Sequence, residues 1–199
     1  MESARKELTK PEYFMNEILA RNGRLGQAAC EVMAAAINAV DPYQIVRQYV
    51  TKSQKALFIG EEPFQLDEID RIFLIGFGKA AAPMAKALLD ILPGDVESAD
   101  IVTKDEKFLE DNGYQQILKV HIGGHPIPTL ESLQATKTIL RNLGKLSPKD
   151  LVLIVISGGG SALFTDPVSG ISLGDLREMT DILLKSGADI HEINTLRKH

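Results

Sequence analysis

The sequence predicts an α/β fold, a three-layer Rossmann-like parallel sheet with helices on both faces. Three observations predict it. The apolar runs Ile72–Ile75 and Leu151–Ile156 are unbroken, the composition of strands buried on both faces. Each run leads into glycines, at Gly76-Phe77-Gly78 and Gly158-Gly159-Gly160, and a helical pattern follows. Strand and helix signals alternate along the chain, and that order builds a parallel sheet by crossover connections.

Composition sets the outer bounds. At 199 residues the chain can hold one large domain, or a domain and a fragment. Its 44% hydrophobic and 25% charged residues are ordinary for a globular protein. No apolar run approaches a membrane span, and Met1–Glu7 lacks the apolar core of a signal peptide; a lone cysteine implies a reducing compartment, and a cytoplasmic protein is expected on that ground. The single cysteine, Cys30, excludes a disulfide framework, and four scattered histidines offer no zinc-ligand spacing. A net charge of −5 without a basic stripe argues against nucleic acid as the partner. An anionic ligand would therefore depend on local donors rather than on the global field.

Residues 1–24 read as an N-terminal extension with one short helix. Pro11 opens it, Phe14, Met15, Ile18 and Leu19 are its apolar positions, and Gly23 ends it. The domain is read as 25–199. Leu25, Ala28, Ala29, Val32, Met33, Ala36, Ile37 and Val40 form one helical stripe, expected to cover the core. Cys30 lies off that stripe and reads as an inert packed thiol. Asp41-Pro42 is an N-cap followed by proline at the first helical position, starting a helix through Val50. Residues 56–66 read as two short edge strands around a turn.

The run from Arg71 then ends at Gly76-Phe77-Gly78-Lys79, and an Ala-rich helix follows with Ala82, Met84, Ala85, Leu88 and Leu89 as apolar positions. Gly76, Gly78 and Ala81 fit a dinucleotide fingerprint, but the strand at 99–103 ends in Thr103-Lys104-Asp105 rather than directly in an acid. A Walker loop fails too, with Phe73 and Ala80 at its key positions. What remains is a lysine, Lys79, at the mouth of a buried strand. Residues 115–122 make a further strand leading into Gly123-Gly124-His125-Pro126-Ile127-Pro128, where His125 either contacts a ligand or bonds the loop itself. A helix over 130–143, closed by Gly144 and Pro148, returns the chain to the strand at 151–156.

After that strand comes Ser157-Gly158-Gly159-Gly160-Ser161. Three glycines between serines leave the backbone bare for an anion, and a helix starting near Ser161 would add its free N–H groups. A helix from Ser172 or Leu173 to Gly187 follows, with Leu176, Met179, Ile182 and Leu183 as its buried positions. In the last segment Asn194 and Arg197 share a helical face at i and i+3, with Lys198 beside them. The pattern runs to the last residue, which reads as a fragment of a longer domain. Gly78-Lys79, Gly123–His125 and Ser157–Ser161 would all gather at the carboxyl ends of the strands, where such sheets bind ligands.

Four stretches together resemble the glycerate 2-kinase family. These are Gly-Phe-Gly-Lys-Ala at 76–80, Gly-His-Pro-Ile-Pro at 124–128, Ser-Gly-Gly-Gly-Ser-Ala-Leu at 157–163 and Ile-Asn-Thr-Leu-Arg-Lys-His at 193–199. The family's second domain carries the MOFRL motif, and its members were long labelled hydroxypyruvate reductase. The resemblance covers residue 25 onward. It implies the N-terminal domain of a two-domain enzyme that phosphorylates D-glycerate to 2-phosphoglycerate with ATP and a divalent metal, Mg2+. It assigns no metal ligands and no general base, and it leaves a homodimer open. Thr129 departs from the acid that the family usually places there. On this reading Lys79 and Arg197 carry the catalytic charge, Ser157, Gly158, Gly159, Gly160 and Ser161 hold the nucleotide's phosphates, and Gly78, His125, Asn194 and Arg197 face the substrate. A non-catalytic phosphate-binding module and an NAD(P)-dependent hydroxypyruvate reductase are the alternatives. A serine hydrolase is disfavoured, since neither Ser157 nor Ser161 stands in G-x-S-x-G.

Overall fold

The computed structural model describes residues 9–106, 114 and 116–198. Met1–Glu7, the start of the predicted strand at Gln115, and His199 lie outside the described residues.

The N-terminal segment is a 3-10 turn, Pro11–Phe14, followed by α1 (Glu17–Arg21) and α2 (Gly23–Ala39). The single short helix expected here is thus divided. Asn16 has extended backbone and accepts a bond from Leu19 N–H, starting a new helix after the turn. A larger correction concerns α2. Its apolar stripe faces outward, with Leu25 79%, Val32 68% and Val40 63% exposed. The buried face is Gly26, Cys30 and Ala34, small residues that let α1 and the 3-10 turn lie close. Periodicity shows that a helix has an apolar side, but not that the side meets a core. Cys30 is fully buried, as read.

The next helix, α3 (Pro42–Tyr49), starts where expected, with the Asp41 carboxylate accepting from the Tyr43 and Gln44 N–H groups. Three short strands, β1 (Val50–Lys52), β2 (Ala56–Ile59) and β3 (Glu62–Gln65), form an antiparallel meander. The sequence signalled the last two; β1 is too short to show a period.

The main sheet holds β4 (Arg71–Phe77), β5 (Val96–Thr103), β6 (Leu118–Ile122) and β7 (Asp150–Ile156) in the order β6-β5-β4-β7, every pair parallel. Between them run α4 (Ala81–Ile91) and α5 (Leu130–Leu143). Leu74, Leu153 and Val155 pack with Ala85, Leu88 and Leu89 of α4 on one face. Ile75 and Val102 pack with Ala135 and Ile139 of α5 on the other. The layering is therefore as predicted. At the starts of β4 and β7, Arg71 grips Asp150 through Nε to Oδ1 at 2.9 Å and Nη2 to Oδ2 at 2.6 Å. That fork holds the Asp150 carboxyl down at about 2.

One expectation about β7 fails. Ile154 and Ile156 are 54% and 61% exposed, because they alternate with Leu153 and Val155, which α4 covers, and so lie on the face of this outer strand that α4 leaves open. After β7 come a single helical turn, α6 (Gly160–Leu163), then α7 (Leu173–Ser186) and α8 (Ile190–Lys198). Ser172 and Asp175 close a capping box at the start of α7, and Gly187 ends it with φ +76°. Of the positions read as buried in α7, Ile182 is 57% exposed, and the buried residue is Thr180.

Candidate active site at the carboxyl ends of the strands

Parallel pairing brings the carboxyl ends of all four strands to one edge of the sheet. The loops after β4, β6 and β7 meet there, as the sequence pattern required. Phe77 and Ile156 are register partners, so the two glycine loops leave adjacent strands side by side. They are then tied together. Lys79 N–H donates to Gly158 O at 3.0 Å, Ala80 N–H donates to Ser157 Oγ at 2.9 Å, and Ser157 N–H donates to Phe77 O at 3.1 Å. Gly78 has φ +122° and lies so close to Ser157 that a Cβ would overlap its hydroxyl.

These bonds decide which loop can take an anion. In the β4–α4 loop, Gly78 N–H goes to Val102 O, Ala81 N–H to Gly78 O, and Lys79 and Ala80 to the neighbouring loop. That loop's donors are spent, so the fingerprint Gly76-Gly78-Ala81 offers no free N–H groups for a pyrophosphate. In the β7–α6 loop the N–H groups of Gly158 and Gly159 make no hydrogen bond among the described residues. Gly158 is exposed and meets only Lys79 Cε, 3.9 Å from the position of a Cβ. Two expected features of this loop change. Gly160 is buried and its N–H is bonded to Ser157 O, so it positions the loop rather than binding. The helix that follows has four residues, too short for a useful macrodipole, so the loop's own N–H groups are the donors. Ser157 Oγ serves as an acceptor within the fold, while Ser161 is exposed and open.

The loop after β6 completes the cluster. Gly123 N–H bonds Thr103 O and Gly124 N–H bonds Ser132 Oγ, fixing the backbone that carries His125. The imidazole reaches over the glycine loop: a Cβ on Gly159 would stand 2.6 Å from His125 Cδ2 and 3.4 Å from Lys79 Cε. Burial lowers the His125 pKa from its ordinary value, and the charges of Lys79, Lys104 and Arg197 lower it further. His125, Ser157–Ser161, Asn194 and Arg197 line one cavity of about 580 Å3. Asn194 and Arg197 do share a face of α8 and present it to the loop. Partial burial pulls the Arg197 guanidinium below its ordinary pKa.

Lys104 is the residue that sequence reading passed over. It follows the last residue of β5, the strand between those that carry Lys79 and His125. The rule that singled out Lys79, a lysine at the mouth of a central strand, would have found it. A second missed feature is the stack of Phe77 on Phe164, centroids 4.6 Å apart and rings 9° from parallel, which forms part of the cavity wall. Among the described residues Lys79, Lys104 and Arg197 make no ion pair. In a chain of net charge −5, Lys79 and Arg197, unpaired among the described residues, thus stand beside two free backbone donors, and Lys104 acts on His125 from the neighbouring strand.

Comparison with known proteins gives a consistent picture. Residues 28–199 match a family described as a domain of unknown function, DUF4147. A glycerate 2-kinase of Pyrococcus horikoshii is 45% identical over 171 residues, 84% of this chain and 36% of the relative. A D-glycerate 2-kinase of Thermotoga maritima is 35% identical over 175 residues, 88% of this chain and 38% of the relative. The crystal structure of a Pyrococcus horikoshii OT3 protein superposes with a TM-score of 0.71 at 42% identity, covering 86% of this chain and 37% of that one. The chain spans a little over a third of the length of these relatives.

Proposed function

The chain belongs to the glycerate kinase family, within its N-terminal domain, and on that basis we propose that it forms one wall of a site that phosphorylates D-glycerate to 2-phosphoglycerate with ATP. The observation that carries the reading is the arrangement at the phosphate loop, where Lys79 runs beside the unbonded N–H groups of Gly158 and Gly159 and Arg197 lines the same cavity. Phosphoryl transfer asks for charge neutralisation and alignment rather than covalent help, and this is what the cluster offers. Gly158 and Gly159 N–H, with the Ser161 hydroxyl, hold phosphate oxygens. The compact ammonium of Lys79 stabilises charge on the moving phosphoryl group. Arg197 can hold the glycerate carboxylate through two parallel bonds, with Asn194 beside it. His125, kept neutral by its surroundings, can accept the proton that the attacking hydroxyl releases.

Among the described residues no three His, Cys, Asp or Glu side chains cluster at ligating distance, so Mg2+ would be carried on the nucleotide's phosphates rather than in a protein cage. A reductase reading loses its main support, because the fingerprint glycines' loop has spent its N–H groups on the neighbouring loop.

The test is D-glycerate-dependent ADP release, with the phosphorylated carbon identified by 31P NMR. Joined to the remaining part of the Pyrococcus horikoshii relative, the chain should form 2-phosphoglycerate and ADP in equal amounts. The 199-residue chain alone should fold and turn over far more slowly, since one wall leaves the reacting groups in water. ADP release that ignores glycerate, or phosphate on another oxygen, would overturn the proposal.

A further inference from the structure

We infer that a second cavity, beside the phosphate loop, takes the nucleoside half of the phosphoryl donor; this rests on the kinase reading above. The cavity measures about 870 Å3, within the size of small-molecule sites. It shares Ser161, Phe164, Asn194 and Arg197 with the cavity that holds the glycine loop. A ligand with phosphate at one end and a different chemistry at the other can therefore cross that common wall and occupy both.

The two cavities differ in the way a nucleotide's halves differ. The first carries the free N–H groups and Arg197, with Lys79 beside its glycines. The second adds an apolar patch beyond the shared wall, formed by Val168, Ile171, Leu176 and Met179. Apart from Arg197 and Lys198 of α8, its charged groups are Asp166 and Asp175. Those carboxylates repel a triphosphate and leave a neutral base and ribose indifferent. Charge, with the apolar patch, favours one direction: phosphates toward Gly158 and Lys79, nucleoside toward α7.

One side chain in that wall lacks what an occupant would bring. Thr180 is 1% exposed, and among the described residues its Oγ1 is buried without a hydrogen-bond partner. The helical threonines Thr136 and Thr195 instead return their hydroxyls to the carbonyl one turn back, at 2.9 and 2.8 Å. A buried hydroxyl left unpaired is unfavourable, so it marks a place where a partner is missing. A shift of the α7 wall on ligand entry would bring that hydroxyl to the polar edge of a nucleobase or to a ribose hydroxyl, either of which supplies such a partner.

Calorimetric titration of the chain with ATP and with inorganic triphosphate tests this. Both should bind, ATP at least tenfold more tightly. Thr180→Met, which fills the cavity, should abolish that advantage and leave triphosphate affinity unchanged. Ile171→Trp gives the same test from the rim, where Ile171 is 48% exposed and no core packing is disturbed. If triphosphate binds and ATP binds no more tightly, or if the advantage survives either folded variant, the nucleoside assignment is wrong and the phosphate loop stands. If neither ligand binds the unsubstituted chain, the kinase reading falls with it.

Discussion

The His125 imidazole lies directly over Gly159, and the glycine is there because nothing larger fits. A Cβ at that position would come within 2.6 Å of His125 Cδ2, and φ of +93° is itself unfavourable for any L side chain. Gly159 is therefore held by the fold as well as by any ligand. Gly159→Ala should destabilise the chain by about 1–3 kcal/mol and lower the melting temperature. Gly158 is the cleaner probe. It has no positive φ and no close neighbour, so Gly158→Ala should keep the melting temperature while weakening phosphate binding about tenfold, seen by titration with ATP or triphosphate. Undiminished binding in a folded Gly158→Ala chain would make the loop a structural turn.

The cations that surround His125 make its titration a reporter of the site. Burial first, then Lys79, Lys104 and Arg197, place its folded pKa below its unfolded value of 6.5. Above 6.5 the imidazole is neutral in both states and its contribution to stability is complete. As pH falls below 6.5 the unfolded chain takes up the proton first, and that contribution is lost. The acid side of the stability curve should thus be shallower in His125→Gln. Added phosphate places negative charge beside the ring and should raise its pKa, and Lys104→Gln should do so without phosphate. Imidazole proton shifts in NMR read both; a pKa indifferent to phosphate would remove His125 from the site. The Arg71–Asp150 fork acts in a separate window. Its stability contribution is intact above 3.8 and lost as pH falls toward about 2, so Asp150→Asn should alter that part of the curve instead.

The outward face of α2 gives a third pair of outcomes. Val32→Asp should change stability by no more than about 0.5 kcal/mol, because the side chain is 68% exposed. Gly26→Ala, by contrast, puts a methyl into the Leu19 carbonyl and should cost about 1–3 kcal/mol by forcing α1 away. Thermal unfolding of the two variants decides between them. If Val32→Asp unfolds the chain and Gly26→Ala leaves it intact, the helix has its apolar stripe on the core.

That helix shows where sequence reading stopped. The 3.6-residue period of Leu25, Ala29, Val32 and Ala36 is visible, yet period alone cannot say what faces it. Ile154 and Ile156 failed for a related reason, since the apolar run of β7 says strand but which faces of an outer strand a helix covers is a fact of topology. Buried parallel strands ending in glycine were legible, and with them the gathering of Lys79, His125 and Ser157–Ser161. Parallel order puts every such loop on one side, whatever the order of the strands. The hydrogen bonds that spend the Lys79 and Ala80 N–H groups and spare those of Gly158 and Gly159 were beyond the sequence. They depend on a fraction of an ångström between two loops.

Lys79 carries the decisive prediction. Its side chain is exposed, makes no ion pair among the described residues, and runs alongside Gly158 and Gly159, where a phosphate would sit. As an ordinary surface lysine it would contribute within about 0.5 kcal/mol to stability and nothing to rate. As the cation that meets the developing charge, its loss should cost on the order of 3 kcal/mol in the barrier, a hundredfold or more. Lys79→Met in the joined protein should therefore keep its melting temperature and lose nearly all turnover of glycerate. Lys79→Arg should restore part of it, since a planar guanidinium carries the charge but not the compact shape of an ammonium. Lys104→Met should raise KM more than it lowers kcat if that lysine attracts the anion rather than stabilising the moving phosphoryl group. Wild-type turnover in Lys79→Met would leave the site with backbone donors and no catalytic cation, and a binding module would then describe it better than a kinase.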